Sequence, residues 1–212
     1  MVAVTRSMTT PSRPIEYRRA LISRASPASF EDNAKADWLK ALDLIAEKAG
    51  WGRQLPRGTG IGFAIDDRKA VAPRGIALVA MGVTVSVSPS GSVTIERMDI
   101  VHDQGHAIIN PEAAERQIRG MMAWSLGPVF SQEISFRNGS VEQTNFDSYL
   151  PVLMSDFPRQ ITINYMKTDR WISGIGEEVV PLVAPAILNA IQMATGKRIR
   201  SIPLRNHDLS WT

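Results

Sequence analysis

Residues 74–101 contain two extended segments joined by a short turn. The segment from Arg74 to Val87 contains alternating stretches such as Val83-Thr84-Val85-Ser86-Val87, which have the period-2 pattern of a β-strand. Ser88-Pro89-Ser90-Gly91-Ser92 supplies turn residues, and residues 93–101 return as a partner strand. The sequence therefore predicts an antiparallel β-hairpin to which the other elements are added.

Three helices are predicted outside this hairpin. Apolar residues recur at helical spacing over residues 33–49, which predicts the first helix. The second begins with Pro111 after a side-chain cap and runs towards Leu126, where Gly127-Pro128 is expected to end it. The third is expected to open at Pro185 and to stop at Gly196, since proline favours the first helical turn and glycine the position after the last.

Further strands are predicted at residues 62–65 and at residues 160–166, and Asn138-Gly139 predicts a tight hairpin turn. Residues 16–30 are expected to be irregular because they contain the break signals Pro27 and Ser29. The order of strands, helix, strands and helix predicts an α+β fold with a mixed or antiparallel sheet and packed helices. We divide the chain into a basic flexible arm (1–15), a helical lead-in segment (16–52) and a domain portion (53–212).

Composition excludes several classes of function. The 212 residues include no cysteine, which rules out disulfides, thiolate metal sites and iron–sulfur ligation by this chain. His102 and His106 lie four apart, but the intervening Gln104-Gly105 indicates a turn, so no histidine metal site is predicted and ordinary hydrogen bonds are expected. The net charge of +3 comes without basic runs interleaved with aromatic residues, which argues against nucleic-acid binding. No apolar run is long enough to predict a transmembrane segment.

Gly174-Ile175-Gly176-Glu177 is the candidate site motif. Glycine lacks a Cβ, so the backbone turns tightly and comes close to whatever lies opposite, and Glu177 leaves this loop shortly before the third helix. A carboxylate held in this way suits a general base. The alternative from spacing alone is that Glu177 is an ordinary solvated loop residue.

Several motifs taken in order resemble a known family. They are Asp103-Gln104-Gly105, Ile109-Asn110-Pro111, Gln117, Gly120, the run from Gln132 to Gly139, Asn145-Phe146-Asp147-Ser148-Tyr149, Phe157-Pro158, Gly174-Ile175-Gly176-Glu177, and the runs 184–191 and 194–204. Together they resemble the C-terminal end of the molybdopterin-binding subunit of the xanthine dehydrogenase and aldehyde oxidase family. The branch that this chain is most similar to is the isoquinoline 1-oxidoreductase beta-subunit type, and the resemblance covers roughly residues 14–205.

The resemblance implies a fold, a cofactor and site residues. The fold would be the C-terminal portion of a molybdopterin-binding domain, and the cofactor would be molybdenum–molybdopterin in a cytosine dinucleotide form. A carboxylate would take a proton from a hydroxyl group on molybdenum, the oxygen would attack an electrophilic substrate carbon, and the hydride of that carbon would pass to a sulfido ligand. Glu177 matches this base. Gln117, Gly174 and Gly176 match cofactor-binding positions.

The resemblance also implies partners, because members of the family are far longer than this chain. A larger molybdopterin-binding chain would share the cofactor, and an iron–sulfur subunit carrying [2Fe-2S] clusters would pass electrons to a flavin or cytochrome subunit. The compartment would be the cytoplasm, or the periplasm by co-export with a partner. A second hypothesis is a non-catalytic structural or assembly subunit, since Glu178-Val179-Val180 and Met121 depart from the family pattern. Exposed apolar surface is expected where the larger chain would pack.

Overall fold

The described part of the protein is built on a four-stranded sheet that is covered by helices on both faces. The computed structural model of the chain describes residues 13–26, 34–69 and 76–212. Helices α1 (Pro14–Arg24) and α2 (Ala34–Lys48) lie on one face of the sheet, and α3 (Pro111–Phe130) and α4 (Val180–Thr195) on the other. The sheet strands are β1 (Thr59–Lys69), β2 (Ile76–Val87), β3 (Val93–Asp103) and β6 (Gln160–Met166), and a two-stranded hairpin is formed by β4 (Phe136–Arg137) and β5 (Ser140–Val141). The α+β prediction is confirmed.

The strand order in the large sheet is β1-β2-β3-β6. The pairs β1–β2 and β2–β3 are antiparallel, whereas β6 lies parallel to β3 at the edge, so the sheet is mixed. The parallel pairing requires a crossover connection, and α3 provides it. The predicted central hairpin is confirmed as β2–β3, and the strand predicted at 62–65 is longer, because β1 pairs with β2 along its whole length.

Helices on both faces explain why β2 is apolar nearly throughout. Val79, Met81 and Val83 pack into the core shared with α3 and α4. Leu78 and Ala80, which alternate with them, pack into the second core, formed with α1 and α2. A strand that is covered on both faces buries both sets of side chains, so each face contributes to stability through apolar area removed from water.

Two glycines of β1 allow α4 to pack directly against the sheet. A Cβ atom added at Gly60 would lie 2.2 Å from the carbonyl oxygen of Ala190, and one at Gly62 would lie 2.0 Å from that of Ala186. Both distances are far below van der Waals contact, so any side chain here would push the helix away. The small residues therefore fix the depth at which α4 rests on the sheet.

Two predicted helix boundaries are wrong. Helix α3 continues through Gly127-Pro128 to Phe130, because Val129 is buried in the core and the N–H groups of Ser131 and Gln132 both donate to the Gly127 carbonyl. Helix α4 begins at Val180 rather than at Pro185, which lies inside the helix. Burial of Leu182 and Val183 against the sheet offsets the hydrogen bond that an internal proline removes.

The segment expected to be irregular at residues 16–30 contains a helix. Helix α1 places Ile15 and Ile22 in the core with α2, and this tertiary contact overrides the weak local pattern. Pro27 and Ser29 lie outside the described residues, as do residues 1–12 of the predicted arm. The division of the chain into arm, lead-in segment and domain portion stays a prediction.

Candidate functional site

A cavity of about 740 Å³ lies between α3 and the loop that precedes α4. Its lining residues are Gln117, Gly120, Met121, Trp124, Gly176, Glu177, Val180 and Pro181. Three of the four residues predicted for the site, Gln117, Gly176 and Glu177, are thus brought together although they are far apart in the sequence. Gly174 is not among the lining residues, and a Cβ added there would lie 3.8 Å from Oε1 of Glu178.

One stripe of α3 forms a wall of the cavity. Gln117, Gly120, Met121 and Trp124 follow at spacings of three and four residues, which places them along one side of a helix. Met121 is buried, whereas Gln117 and the indole of Trp124 are exposed, the latter by 70%. A Cβ at Gly120 would meet no atom within 4 Å, so the helix contributes an amide, an aromatic ring and a gap.

The opposite wall is the loop of Gly176 and Glu177. The N–H groups of these two residues both donate to Oε2 of Glu178, at 2.7 and 2.9 Å, so one carboxylate holds both amides of the turn. The carbonyl of Glu177 accepts the N–H of Val180 at 3.0 Å, where α4 begins. Glu177 is exposed at the cavity and lies three residues before the helix rather than eight, as the sequence had suggested.

The glycines of this loop have ordinary backbone angles, and the feature they share is the missing side chain. Neither Gly174 nor Gly176 has a positive φ, so the conformation itself does not demand glycine. A Cβ at Gly176 would meet nothing within 4 Å, so its absence leaves room in the cavity. The expected close approach of another group to Gly176 is compatible with this open space. A tight turn is not the reason for glycine here, because the backbone angles do not require it.

A buried anchor near the site was not predicted from the sequence. Asp103, at the end of β3, is 0% exposed and accepts hydrogen bonds from the Gly105 N–H, the Thr168 hydroxyl and the Arg170 guanidinium. The guanidinium also lies 3.6 Å from Asp37 on α2. Asp103 belongs to the Asp103-Gln104-Gly105 motif, but its sequence neighbours give no signal of the partner that lies 67 residues later.

The backbone after Asp103 is also fastened to the segment that leads to Glu177. The N–H of His106 donates to the Arg170 carbonyl at 2.9 Å, and the N–H of Ser173 donates to the Gln104 carbonyl at 2.9 Å. Gly105 has a φ of +96°, and a Cβ there would lie 2.4 Å from the Trp171 carbonyl oxygen. Glycine is therefore required at this close approach, which fixes residues 170–173 just before the loop.

The prediction that both histidines make ordinary loop hydrogen bonds is wrong for His102. This residue lies within β3 and is 0% exposed, and neither ring nitrogen has a hydrogen-bond partner in the described part of the chain. Burial lowers the pKa of His102 to about 4, and the nearby carboxylates of Glu178 and Asp103 oppose this shift. His106 does lie in the turn, with Nδ1 2.9 Å from the Arg170 carbonyl.

Tyr165 is the partner of His102 across the β3–β6 register, with ring centroids 6.5 Å apart. Its hydroxyl is buried without a partner among the described residues. Burial, together with the Glu115 carboxylate, raises the pKa of Tyr165. The buried His102 and the half-buried Tyr165 are therefore both neutral at pH 7.

The described residues contain no group of three or more His, Asp or Glu side chains that could hold a metal ion. Within the same ranges, no helix has the length and apolarity to cross a membrane. The site's polar groups are instead an amide, a carboxylate and backbone atoms beside apolar side chains. Such a cavity in a layered domain is typical of a protein that binds an organic cofactor or substrate.

Comparison with known proteins identifies the family. The profile of the family described as Molybdopterin cofactor-binding domain matches residues 7–158, and the chain belongs to that family. Gln117 lies within the matched residues, whereas the loop from Gly174 to Glu177 follows them.

Curated relatives extend the similarity. The chain is 32% identical over 168 residues to the membrane-bound aldehyde dehydrogenase [pyrroloquinoline-quinone] of Gluconacetobacter polyoxogenes, covering 78% of this chain and 21% of the relative. It is 31% identical over 206 residues to a subunit of the nicotinate dehydrogenase of Pseudomonas putida, covering 90% and 16%. It is 27% identical over 163 residues to the beta subunit of the isoquinoline 1-oxidoreductase of Brevundimonas diminuta, covering 76% and 20%. The resemblance found in the sequence is thereby confirmed.

The chain spans about one fifth or less of the length of these relatives. The match to the nicotinate dehydrogenase leaves only about a tenth of this chain outside it. Glu177 is followed by 35 of the 212 residues, which is more than a tenth, so this match extends across the Glu177 loop.

A solved structure shows the same fold. Quinoline 2-oxidoreductase from Pseudomonas putida 86 superposes with a TM-score of 0.55 at 24% identity, over 61% of this chain and 17% of that one. The expected molybdopterin-binding fold is consistent with this likeness.

The residues of the cavity fit part of a molybdopterin group. Gln117 presents an amide that both donates and accepts hydrogen bonds, as a pterin ring requires. The open space opposite Gly120 and Gly176 is the kind of gap that a planar ring system fills. The exposed rim at Gln117 and Glu177 leaves the cavity open on one side.

Proposed function

We propose that this chain supplies one wall of a molybdenum hydroxylase active site, with Glu177 as the catalytic base. The observation that carries the proposal is the shared cavity, in which Glu177 faces Gln117 from the opposite wall. A bound molybdenum–molybdopterin group, in its cytosine dinucleotide form, would supply the two-electron oxidation and the water-derived oxygen.

The chain's own residues would position the cofactor and accept a proton during the reaction. The Glu177 carboxylate would accept a proton at one of its oxygens, and the two loop amides held by Glu178 would keep that side chain directed at the cavity. Gln117 would hydrogen-bond the pterin part of the cofactor. Gly176 would leave space for its reactive end, and Gly174, which does not line the cavity, would act only on the course of the loop.

The remaining walls would come from a larger molybdopterin-binding chain. The open rim of the cavity and the small share of its relatives that the chain covers support this proposal. Because the sequence has no cysteine, [2Fe-2S] clusters would belong to another subunit, which would pass electrons to a flavin or cytochrome subunit. The relatives' names support aldehydes or N-heterocycles as the substrate class. The assembly would work in the cytoplasm, or in the periplasm after co-export.

The test is made on the native assembly, purified through a tag on this chain. We expect stoichiometric molybdenum by elemental analysis and oxidation of an aldehyde or N-heterocycle panel. Glu177→Gln removes the base without changing the shape of the side chain, and should lower kcat by about 10²-fold or more while the molybdenum content is retained. The matched control is Glu112→Gln, an exposed glutamate of α3 outside the cavity lining, which should keep full turnover.

Two results would contradict the proposal. One is an assembly without molybdenum, and the other is full turnover in the Glu177→Gln variant. Either would favour the second hypothesis, that the chain is a structural or assembly subunit. The specific observation behind that hypothesis is the departure from the family pattern at Glu178-Val179-Val180.

A further inference from the structure

The connection between α3 and β6 contains no buried residue. It runs from residue 131 to residue 159, all of which the structure describes, and every side chain in it is exposed or half-buried. A connection of this length in a compact domain normally either forms its own small core or carries a function. We call residues 131–159 the connection segment.

The connection segment exposes a concentration of large apolar side chains. They are Ile134, Phe136, Val141, Phe146, Leu150, Leu153 and Met154. Phe136 and Phe146 are 71% and 76% exposed, so neither aromatic ring is part of a core. Exposed apolar side chains that cluster together mark interaction sites in soluble proteins.

These side chains are grouped by the local structure. Phe136 and Val141 are direct partners in the β4–β5 hairpin, so both project from the same face. Ile134, Phe146 and Tyr149 line a groove of about 400 Å³ together with the polar side chains of Gln143, Thr144 and Asn145. The segment thus presents two apolar features, the hairpin face and a groove lined by both apolar and polar side chains.

The connection segment is held in shape from both ends. The Glu133 carboxylate accepts hydrogen bonds from Arg205 at 3.1 Å and from Asn206, and Arg159 pairs with Glu96 at 2.9 Å. The Asn138-Gly139 turn has positive φ at both residues, 52° and 80°, as a two-residue hairpin requires. The apolar surface is therefore presented preformed, which reduces the entropy lost on binding.

We propose that the connection segment is the docking surface for the larger molybdopterin-binding polypeptide that completes the site. This rests on the proposed function. The chain covers only 16–21% of the curated relatives in which the corresponding residues occur, so most of the polypeptide that packs around this domain lies outside this chain. The expected exposed apolar surface is found on this segment.

A second copy of this chain is a less suitable occupant. A self-complementary contact would leave the open rim of the Gln117–Glu177 cavity without the further wall that the cofactor needs. Under the proposal, a larger chain contacts the groove and also supplies the further wall of the cavity. Crosslinking from the groove distinguishes these two occupants.

The test places the photo-crosslinking residue p-benzoylphenylalanine at position 146, in the tagged chain expressed in cells of its source organism. After irradiation and purification, we expect crosslinked peptides from a larger polypeptide that matches the molybdopterin cofactor-binding family. The matched control carries the same residue at position 21, an exposed apolar position on α1 at the other face of the sheet, and should not crosslink to it. Crosslinks from position 146 that join two copies of this chain, or that reach no larger family member, overturn the proposal.

Substitutions give an independent measure. The double variant Phe136→Ser with Phe146→Ser should lower the amount of larger polypeptide recovered with the tagged chain by about ten-fold or more, because exposed aromatic anchors dominate interface energies. Leu21→Ser should leave the recovery unchanged. Far-UV circular dichroism of the isolated chain should be the same for wild type and both variants, since none of these side chains is buried.

Failure of this surface and failure of the proposed function can be told apart. If molybdenum and turnover are present but the double variant retains its partner, the docking surface is wrong and the proposed function stands. If position 146 crosslinks to the larger polypeptide but the assembly contains no molybdenum, the surface stands and the proposed function is wrong.

Discussion

The fully buried carboxylate of Asp103 is paired with the guanidinium of Arg170, although the two residues are 67 positions apart. The pair joins the end of β3 to the segment that leads to Glu177. The Arg170 guanidinium also lies 3.6 Å from a second carboxylate, that of Asp37 on α2. The three charges link the sheet, one helix of the outer layer and the approach to the candidate site.

Asp103→Ala should destabilise the protein by about 3 kcal/mol, because it leaves Arg170 largely buried and opposite only the more distant Asp37. Urea unfolding of the isolated chain would measure this change. The control is Glu112→Ala, which removes one partner of an exposed i,i+4 pair with Arg116 and should not shift the midpoint measurably. Equal midpoints for Asp103→Ala and wild type would show that the pair does not hold the segment.

Gly105→Ala should destabilise the protein more than Gly52→Ala does. Both glycines have a positive φ, +96° and +90°, so alanine costs about 1 kcal/mol of backbone strain at each. At Gly105 the new Cβ would also lie 2.4 Å from the Trp171 carbonyl, whereas at Gly52 it would meet nothing within 4 Å. We expect a further loss of about 1–3 kcal/mol at Gly105. Comparable losses in thermal unfolding would mean that the contact with Trp171 is not tight.

The buried His102 should make the free energy of unfolding depend on pH. Its pKa is about 4 in the folded protein, against 6.5 for an ordinary histidine, so between these values the unfolded chain binds a proton that the folded one does not. Stability should therefore fall as the pH drops from about 6.5 to about 4, by about 3 kcal/mol in total.

The measurement is urea unfolding at pH 7 and pH 4.5, for wild type and for His102→Gln. The pH change acts on the whole chain, so the comparison with the variant isolates the contribution of the histidine. The pH effect should be smaller in the variant. An imidazole of His102 that titrates near pH 6.5 by NMR would contradict the prediction.

Gly120→Leu should block cofactor binding without weakening the fold. The position lies in α3 and lines the cavity, and a Cβ there would meet nothing within 4 Å, so the leucine side chain would extend into the cavity. Leucine also has a higher helix propensity than glycine, by roughly 0.5–1 kcal/mol.

We therefore expect an unchanged or raised Tm for the isolated chain. The molybdenum content of the native assembly should fall by about ten-fold or more. Arg116→Leu, on α3 but away from the cavity lining, is the control and should retain molybdenum. Full molybdenum content in Gly120→Leu would place the cofactor elsewhere.

Local sequence patterns predicted the elements whose conformations depend on near neighbours. The β2–β3 hairpin follows from period-2 alternation and a turn cluster, and the start of α3 from Asn110, whose side chain accepts the Ala113 N–H at 3.0 Å. The end of α4 follows from Gly196, which is in the left-handed conformation. The family resemblance placed Gln117 and Glu177 among the candidate site residues before their positions were known.

Tertiary packing determines where those elements stop and which distant residues meet. Helix α4 starts five residues before Pro185 because Leu182 and Val183 are buried against the sheet, and α1 forms because Ile15 and Ile22 pack with α2. The meeting of Gln117 with Glu177 depends on how α3 and the loop before α4 pack on the same face of the sheet. The meeting of Asp103 with Arg170 depends on how the segment after β6 returns to the end of β3. Such contacts arise from burial shared among distant segments, and no local pattern of side chains encodes them.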